Sequence, residues 1–329
     1  MEELYQLGVA LATWVQNAYP QLVGVMTLVS ALGTEEFYLV VLPAFYWCIN
    51  KGLGRQLGYL FLLSTLTNNI LKNTFRQPRP FWIDPNVQLG EAEGYGLPSG
   101  HVQTATVVYL LLAARSRRVL AWLLAFMFIA LMGFSRFYLG VHFVQDLAVG
   151  FTAGLLILGA FMIWQITYFD RFSKQILGRR LLLLVSVPLL LAAIYIGILL
   201  LIGKPDTGVP WGAYVPAAEL DGYEQIVSTV AGLLGFGVGI LLESSRIRFR
   251  TDGPVWQRAA RYLLGVVIAV GIWAGLRAIF PSEPLWVALP LRFIRYLILL
   301  LWITYFAPWV FVRLRLAAID TESEVRVTL

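Results

Sequence analysis

The feature that most constrains this chain is its series of long apolar runs, at about 22–47, 54–72, 101–114, 119–135, 142–168, 181–203, 223–243, 260–280 and 288–312. Several approach the ~20 residues with which an α-helix crosses a bilayer. The expected fold is therefore all-α, a polytopic integral membrane bundle of about nine helices. Thr34, Glu35 and Glu36 interrupt the first run, which is either one kinked helix or half of a pair with 5–31, giving ten spans. The run at 101–114 is short and is expected to begin below the membrane surface. Residues 1–20 read as an amphipathic helix, lying at the interface or opening a first span. Charged residues make up 13% of the 329 positions, about half the globular average.

The net charge of +6 raises nucleic acid as a partner, but the basic residues stand in short loops between apolar runs. Lys51 and Arg55, Arg115 to Arg118, Arg171 to Arg180, Arg246 to Arg261, and Arg313 with Arg315 all fall on one side if the spans alternate. The positive-inside rule makes that side cytoplasmic. The loops at 73–100, 136–141, 204–222 and 281–287 then face the exterior: the periplasm of a bacterial inner membrane, or the lumen of the endoplasmic reticulum in a eukaryote. The lone Cys48 excludes an internal disulfide framework and a cysteine-based metal cluster. The first twenty residues have no basic n-region, so no cleavable signal peptide is expected.

Chemistry concentrates in the stretch SRFYLGVHFVQD, residues 135–146. His142 and Asp146 are spaced i, i+4, on one helix face and within reach of each other. A carboxylate beside an imidazole fixes its tautomer and stabilises its charged form. Arg136 supplies an anion clamp. Two further exterior stretches converge on this one. KNTFRQPRP places Lys72 and Arg79 seven residues apart, and Pro98-Ser99-Gly100-His101 opens an apolar helix. Free backbone N–H groups at Ser99 and Gly100 would form an anion site at that helix N-terminus, with His101 at its mouth. Both histidines of the chain fall in these blocks. Arg76 is an additional cation whose role the spacing leaves open.

Lys72 with Arg79-Pro80, then Pro98-Ser99-Gly100-His101, then Ser135-Arg136 with His142 and Asp146 together resemble the three-part signature of the type-2 phosphatidic-acid phosphatase superfamily. The blocks span 72–146, and the helices around them fit from roughly 20 to 168. The later spans are similar to those of the glucose-6-phosphatase and sphingosine-phosphate phosphatase branch. The resemblance implies three catalytic residues: His142 as the nucleophile on phosphorus, Asp146 orienting it, and His101 as the acid for the leaving alcohol and then the base for water. It implies phosphate contacts from Lys72, Arg79, Ser99, Gly100 and Arg136, with no cofactor and no metal. The soluble vanadate-dependent haloperoxidases share these blocks, but the hydrophobicity of this chain argues against that branch.

The expected division is 1–20 as the N-terminal helix, 21–168 as the catalytic core and 169–329 as accessory helices that shape a substrate groove or a homodimer interface. The expected substrate is a lipid phosphate, which diffuses laterally to a site at membrane depth. A sugar phosphatase, a lipid phosphotransferase and a transporter are the alternatives. In AGLLGFGVG, Gly232, Gly235, Gly237 and Gly239 point to close helix packing. Pro43, Pro188, Pro290 and Pro308 are expected to kink their helices. Arg277, Arg292 and Arg295 lie toward the exterior ends of the last two spans. Their plainer use is pairing with Asp206, Glu219, Asp221, Glu224 or Glu283; the sharper one is a second anion site for a diphosphate or a polar headgroup. Glu35 and Glu36 carry no assigned role.

Overall fold

The computed structural model describes residues 2–320. Met1 and residues 321–329, the tail of the expected accessory region, lie outside the described residues. The regular structure of the described residues is helical, apart from one antiparallel bridge between Phe249 and Ile319. Its helices run α1 Glu2–Ala18, α2 Val23–Ala31, α3 Glu35–Ala44, α4 Lys51–Phe75, α5 Pro80–Ile83, α6 Gly100–Ser116 and α7 Val119–Tyr138. They continue as α8 Val144–Thr167, α9 Phe169–Ser173, α10 Leu177–Ile202, α11 Val215–Leu242, α12 Val255–Ile279, α13 Leu285–Leu301 and α14 Ala307–Arg313. Helices suit lipid because they satisfy every interior backbone donor and acceptor within one segment.

The apolar runs fall mainly on helical segments, the first broken between α2 and α3, but six helical segments are long and apolar enough to cross a membrane. The count is seven if the bent pair Pro20–Ala31 and Glu35–Ile49, angled by 52°, is taken as one span. Nine transmembrane helices are therefore not established. The reason is local. Helix α4 carries Lys51, Arg55, Lys72 and three asparagines, and α6 has 17 residues and buries Gln103, Thr104 and Thr106. The interruption read at Thr34–Glu36 is the bend itself, where the Thr34 Oγ1 accepts from the Phe37 N–H at 3.3 Å. Pro43 is followed by a π-helical turn at Phe45–Ile49, and Pro308 follows another at Trp302–Phe306.

The described residues form two compact units. The first holds the chain through Tyr38, then Leu63–Gln165 and Ile194–Ile226. Its core joins α1 to the segment after α4: Tyr5, Val9, Ala12 and Val15 pack with Phe81, Trp82, Val87, Tyr138 and Phe143. The opposite face of α1 leaves Leu4, Leu7, Leu11 and Trp14 exposed, so α1 is apolar on two faces, as a helix that also meets lipid is. Gln16 donates from Nε2 to the carbonyls of Val87 at 2.9 Å and Tyr138 at 2.7 Å. Close approach of α8 to α6 depends on Gly150 and Gly154. A Cβ on Gly150 would stand 2.6 Å from the Ser99 carbonyl oxygen, and one on Gly154 would stand 2.7 Å from the Thr106 Cβ.

The second unit holds Leu39–Leu62, Ile166–Ala193 and the described residues from Val227 on. The glycines of α11 serve packing: a Cβ on Gly235 would stand 2.7 Å from the Leu297 carbonyl, and one on Gly239 would stand 1.9 Å from Thr304 Oγ1. Glu243 has 0% exposure and accepts from Lys51 at 3.1 Å and from Arg55. It also accepts from the Phe249 N–H at 3.1 Å, and Lys51 donates to the Phe249 carbonyl at 2.8 Å. Arg261, also buried, donates to the carbonyls of Arg250, Thr251 and Asp252 and so closes the turn before α12.

Removing one partner of a buried ion pair leaves a charge stranded, which costs about 3–5 kcal/mol, whereas exposed pairs contribute about 0–1 kcal/mol. Glu243→Gln is therefore expected to lower the melting temperature of the detergent-purified protein well beyond Asp252→Asn, whose pair with Arg250 is more than half exposed. Equal shifts for the two variants would contradict this reading of Glu243.

Candidate active site

The eight candidate site residues of the sequence motifs all lie in the first unit. The last turn of α4 carries Lys72, the segment before α5 carries Arg79, and Ser99 is the N-cap position of α6. Gly100 and His101 open α6, the last turn of α7 carries Arg136, and His142 precedes α8, whose first turn holds Asp146. The α7–α8 connection can be short because Gly140 takes φ +70°, a conformation open to glycine at no steric cost. A side chain there would also collide with the Val87 carbonyl, 1.8 Å from the position of a Cβ.

His142 is held at both ring nitrogens. Its Nδ1 is 3.2 Å from Asp146 Oδ2, and its Nε2 is 3.2 Å from Arg79 Nη1. A guanidinium only donates, so Nε2 accepts and the proton belongs on Nδ1, which donates to Asp146. The same Oδ2 accepts from the Phe143 N–H at 2.9 Å. Burial first, and then the nearby Arg79, Arg136 and Lys72 cations, hold His142 well below the usual imidazole range. The result is a neutral imidazole with its free lone pair turned toward a guanidinium, the polarity a nucleophile for an anionic ester needs.

The three cations are held largely by one stretch of backbone. Arg79, 2% exposed, donates to the carbonyls of Glu93, Gly94 (2.7 Å) and Val141 (2.9 Å). Arg136 donates to Ser30 Oγ and, at 3.3 Å, to the Glu91 carbonyl. Lys72 approaches the Glu93 carbonyl at 3.5 Å. Burial lowers Arg79 to about 10, with Asp146, Asp221 and Glu93 opposing that shift.

The helix that begins at Gly100 is keyed to the same centre. The Ser99 N–H donates to the Asp146 carbonyl at 3.0 Å. Ser99 Oγ is buried with no protein partner, as are His101 Nε2 and Arg136 Nε. Beneath this turn, Asn68 donates to the Pro98 carbonyl at 3.2 Å and to Gln103 Oε1 at 3.0 Å, and Gln103 donates to the Ser64 carbonyl at 2.8 Å. This buried network fixes the turn's position.

Several contributors carry no signal in the sequence motifs. Ser30, at the end of α2, binds Arg136 through its hydroxyl, and its backbone favours the protonated form of His101. Gly33, at the bend after α2, lies against the His101 ring; a Cβ there would be 2.5 Å from Cδ2. Asp221 of α11 acts electrostatically on Lys72 and Arg79, and its Oδ2 lies 2.5 Å from where a Cβ on Gly94 would stand. Arg76, open in the sequence reading, donates to Glu219 at 3.1 Å and to the Gly203 carbonyl at 2.7 Å. Tyr95 donates to the same Glu219 at 2.8 Å. Arg277, Arg292 and Arg295 belong to the second unit.

Residues 53–170 match the PAP2 superfamily, and residues 227–319 match the transmembrane extension of PAP2 superfamily phosphatases. Phosphatidylglycerophosphatase B of Bacillus subtilis is 31% identical over 151 residues, 42% of this chain and 72% of that protein. Human sphingosine-1-phosphate phosphatase 2 is 34% identical over 151 residues, 43% of this chain and 37% of that protein. The chain spans less than half the length of the sphingosine-1-phosphate phosphatases it matches. A crystal structure of a transmembrane PAP2-type phosphatidylglycerolphosphate phosphatase from Bacillus subtilis aligns with a TM-score of 0.39 at 26% identity, covering 50% of this chain and 96% of that one.

The tautomer and the lowered basicity of His142 are open to measurement. In protein labelled with ¹⁵N-histidine, with His101→Gln used for assignment, His142 is expected to be neutral at pH 6.5 with its proton on Nδ1. An imidazolium spectrum at that pH, or an Nε2–H tautomer, would contradict the geometry.

Proposed function

The chain belongs to the PAP2 superfamily, and from that membership we propose that it is a membrane-embedded phosphatase that cleaves phosphomonoesters carried by lipids through a phosphohistidine. The observation that carries the proposal is the doubly held imidazole of His142, with Nδ1 on Asp146 and Nε2 on the Arg79 guanidinium, each at 3.2 Å.

A phosphate monoester carries about −1.5 to −2 charges near neutral pH. Lys72, Arg79 and Arg136 supply three positive charges to oppose it, and Ser99 Oγ and the Gly100 N–H add donors. When the phosphoryl group docks, Arg79 exchanges Nε2 for a phosphoryl oxygen and the lone pair is released toward phosphorus. The Nε2–P bond forms as the P–O bond to the lipid alcohol breaks, and the alcohol oxygen takes a proton from His101. Asp146 stabilises the charge that develops on the His142 ring. Water then attacks phosphorus, His101 takes its proton, and the N–P bond breaks to give inorganic phosphate and restore His142.

The cations also regulate His101. Burial first, and then Arg136, Lys72 and Arg79, disfavour its protonated form. A bound phosphate dianion reverses that field, so the acid is charged when substrate is present. In this reading charge neutralisation falls to these side chains.

The lipid assignment draws on the named relatives, whose substrates, sphingosine 1-phosphate and phosphatidylglycerol phosphate by their titles, are amphiphiles. The basic loops support a site on the face opposite the cytoplasm, the periplasm in a bacterium or a lumen in a eukaryote, by the positive-inside rule.

Phosphate release by detergent-purified protein, with EDTA present, tests the proposal. The panel is phosphatidic acid, sphingosine phosphate, undecaprenyl diphosphate and glucose 6-phosphate. A lipid monoester is expected to turn over. His142→Ala is expected to lose at least about 10³-fold, and His101→Ala about 10²–10⁴-fold. Turnover of glucose 6-phosphate alone would overturn the lipid assignment and leave the chemistry. Undiminished turnover by His142→Ala would overturn the chemistry.

A further inference from the structure

The first half of α11 brings two carboxylates to the first unit. That unit takes the chain as far as Ile226, so Glu219 and Asp221 belong with the motif residues, although they lie between the family matches at 53–170 and 227–319. Glu219 has a structural use, since it accepts from Arg76 and Tyr95. Asp221 acts instead on Lys72 and Arg79, two of the cations proposed to bind the phosphoryl group. A carboxylate beside an anion site repels the ligand, so its place there calls for a compensating use.

Backbone packing sets that place. Helix α11 meets the last turns of α4 at Gly222, whose carbonyl accepts from Asn69 Nδ2 at 3.3 Å. A Cβ on Gly222 would stand 2.3 Å from Asn73 Oδ1, so a side chain there would displace Asn73 or force the helices apart. Asn73 in turn donates to the Asn69 carbonyl at 2.9 Å, and both asparagines are buried. Lys72 adjoins Asn73 as Asp221 adjoins Gly222, and the two charged side chains converge over Gly94. The Cβ position of Gly94 is 2.5 Å from Asp221 Oδ2 and 3.8 Å from Lys72 Nζ. Gly94 itself takes φ +67° and gives its carbonyl to Arg79.

The other groups around Lys72 show what a carboxylate does there. Arg79 and Arg136 are like charges, and Asp146 and Asp221 are opposite ones. Lys72 also acts on His101 and His142, and Glu93 approaches it through its carbonyl at 3.5 Å. Asp146 is engaged by His142 and by the Phe143 N–H. Two guanidiniums push an ammonium aside and favour loss of its proton, and a carboxylate opposes both effects.

We infer that Asp221 is a positioning residue of the proposed catalytic site: from α11, outside both family matches, it holds the Lys72 ammonium over Gly94 for a phosphoryl oxygen. The inference rests on the reading of Lys72, Arg79 and Arg136 as a phosphoryl site, and not on the phosphohistidine.

The test is the pH dependence of anion binding by the full chain in detergent. Sulfate is the probe, because its charge is constant across the range. Affinity is read by calorimetry from about pH 6 to about pH 10, where a perturbed lysine loses its proton. In wild type the affinity is expected to fall as Lys72 becomes neutral. In Asp221→Asn the midpoint of that fall is expected about one pH unit lower, a tenfold change in the proton affinity of Lys72. Asp221→Glu is expected to restore most of the shift. Lys72→Gln is expected to lack the fall, and Asp221→Asn is expected to change nothing further on that background. Glu219→Gln is expected to lower the melting temperature with the midpoint in place. The alkaline limb of kcat/KM for phosphatidic acid is expected to move with the midpoint. An unmoved midpoint in Asp221→Asn, or a fall that survives Lys72→Gln, would overturn the inference. Failure of wild type to bind sulfate at any pH would overturn it together with the phosphoryl-site reading. The expected midpoints in a protein that releases no phosphate from any ester would overturn the catalytic proposal and leave the role of Asp221 in anion binding.

Discussion

The first unit depends on keeping three cations together around a neutral imidazole when no anion is there to hold them. Like charges at close range in a poorly solvated setting repel strongly. Backbone carbonyls oppose that repulsion: Glu91 for Arg136, Glu93 for Lys72 and Arg79, and Gly94 with Val141 for Arg79. Carbonyl dipoles orient a guanidinium without neutralising it, so its charge remains available to a phosphoryl group. A carboxylate in the same positions would compete with the substrate.

The carbonyl-bearing segment is itself held on several sides. Gly94 at φ +67° and Gly96, whose Cβ position is 2.5 Å from the Pro78 carbonyl, set its path. Tyr95 ties it to Glu219, which also takes Arg76. Tyr5 of α1 hydrogen-bonds Gln77, and its ring packs on Phe143 with centroids 5.2 Å apart. The N-terminal helix thus braces both the cation-bearing segment and the residue after the proposed nucleophile, and its apolar outer face is free for lipid. The bend after α2 does similar work on the other side through Ser30 and Gly33.

The motif cluster was legible in the sequence because its residues are locally spaced. The i, i+4 pair of His142 and Asp146, the helix-opening turn at Ser99–His101 and the cations on helix ends all follow from short-range rules, and the structure brings them together. The supports were not legible. Ser30 meets Arg136 across 106 positions and Tyr5 meets Gln77 across 72, and no local pattern encodes such pairings. Span counting met a different limit: α4 and α6 carry asparagine, threonine and glutamine that read as weakening a span, yet several of these side chains are buried in the network beneath the Pro98 turn. Apolarity alone therefore separates lipid-facing helices from polar-cored ones poorly. The glycines of α11 were readable as packing residues, since small side chains on an apolar helix serve close approach.

The central claim is that Nε2 of His142 becomes bonded to phosphorus. Mixing the protein with a ³²P-labelled lipid monoester, quenching within the first turnovers and mapping the label tests it directly. The account predicts a label on the peptide containing His142, labile to acid and stable to alkali, trapped in greater amount in His101→Ala and absent in His142→Ala. Turnover of the lipid with no label on the chain, or label retained in His142→Ala, would contradict it.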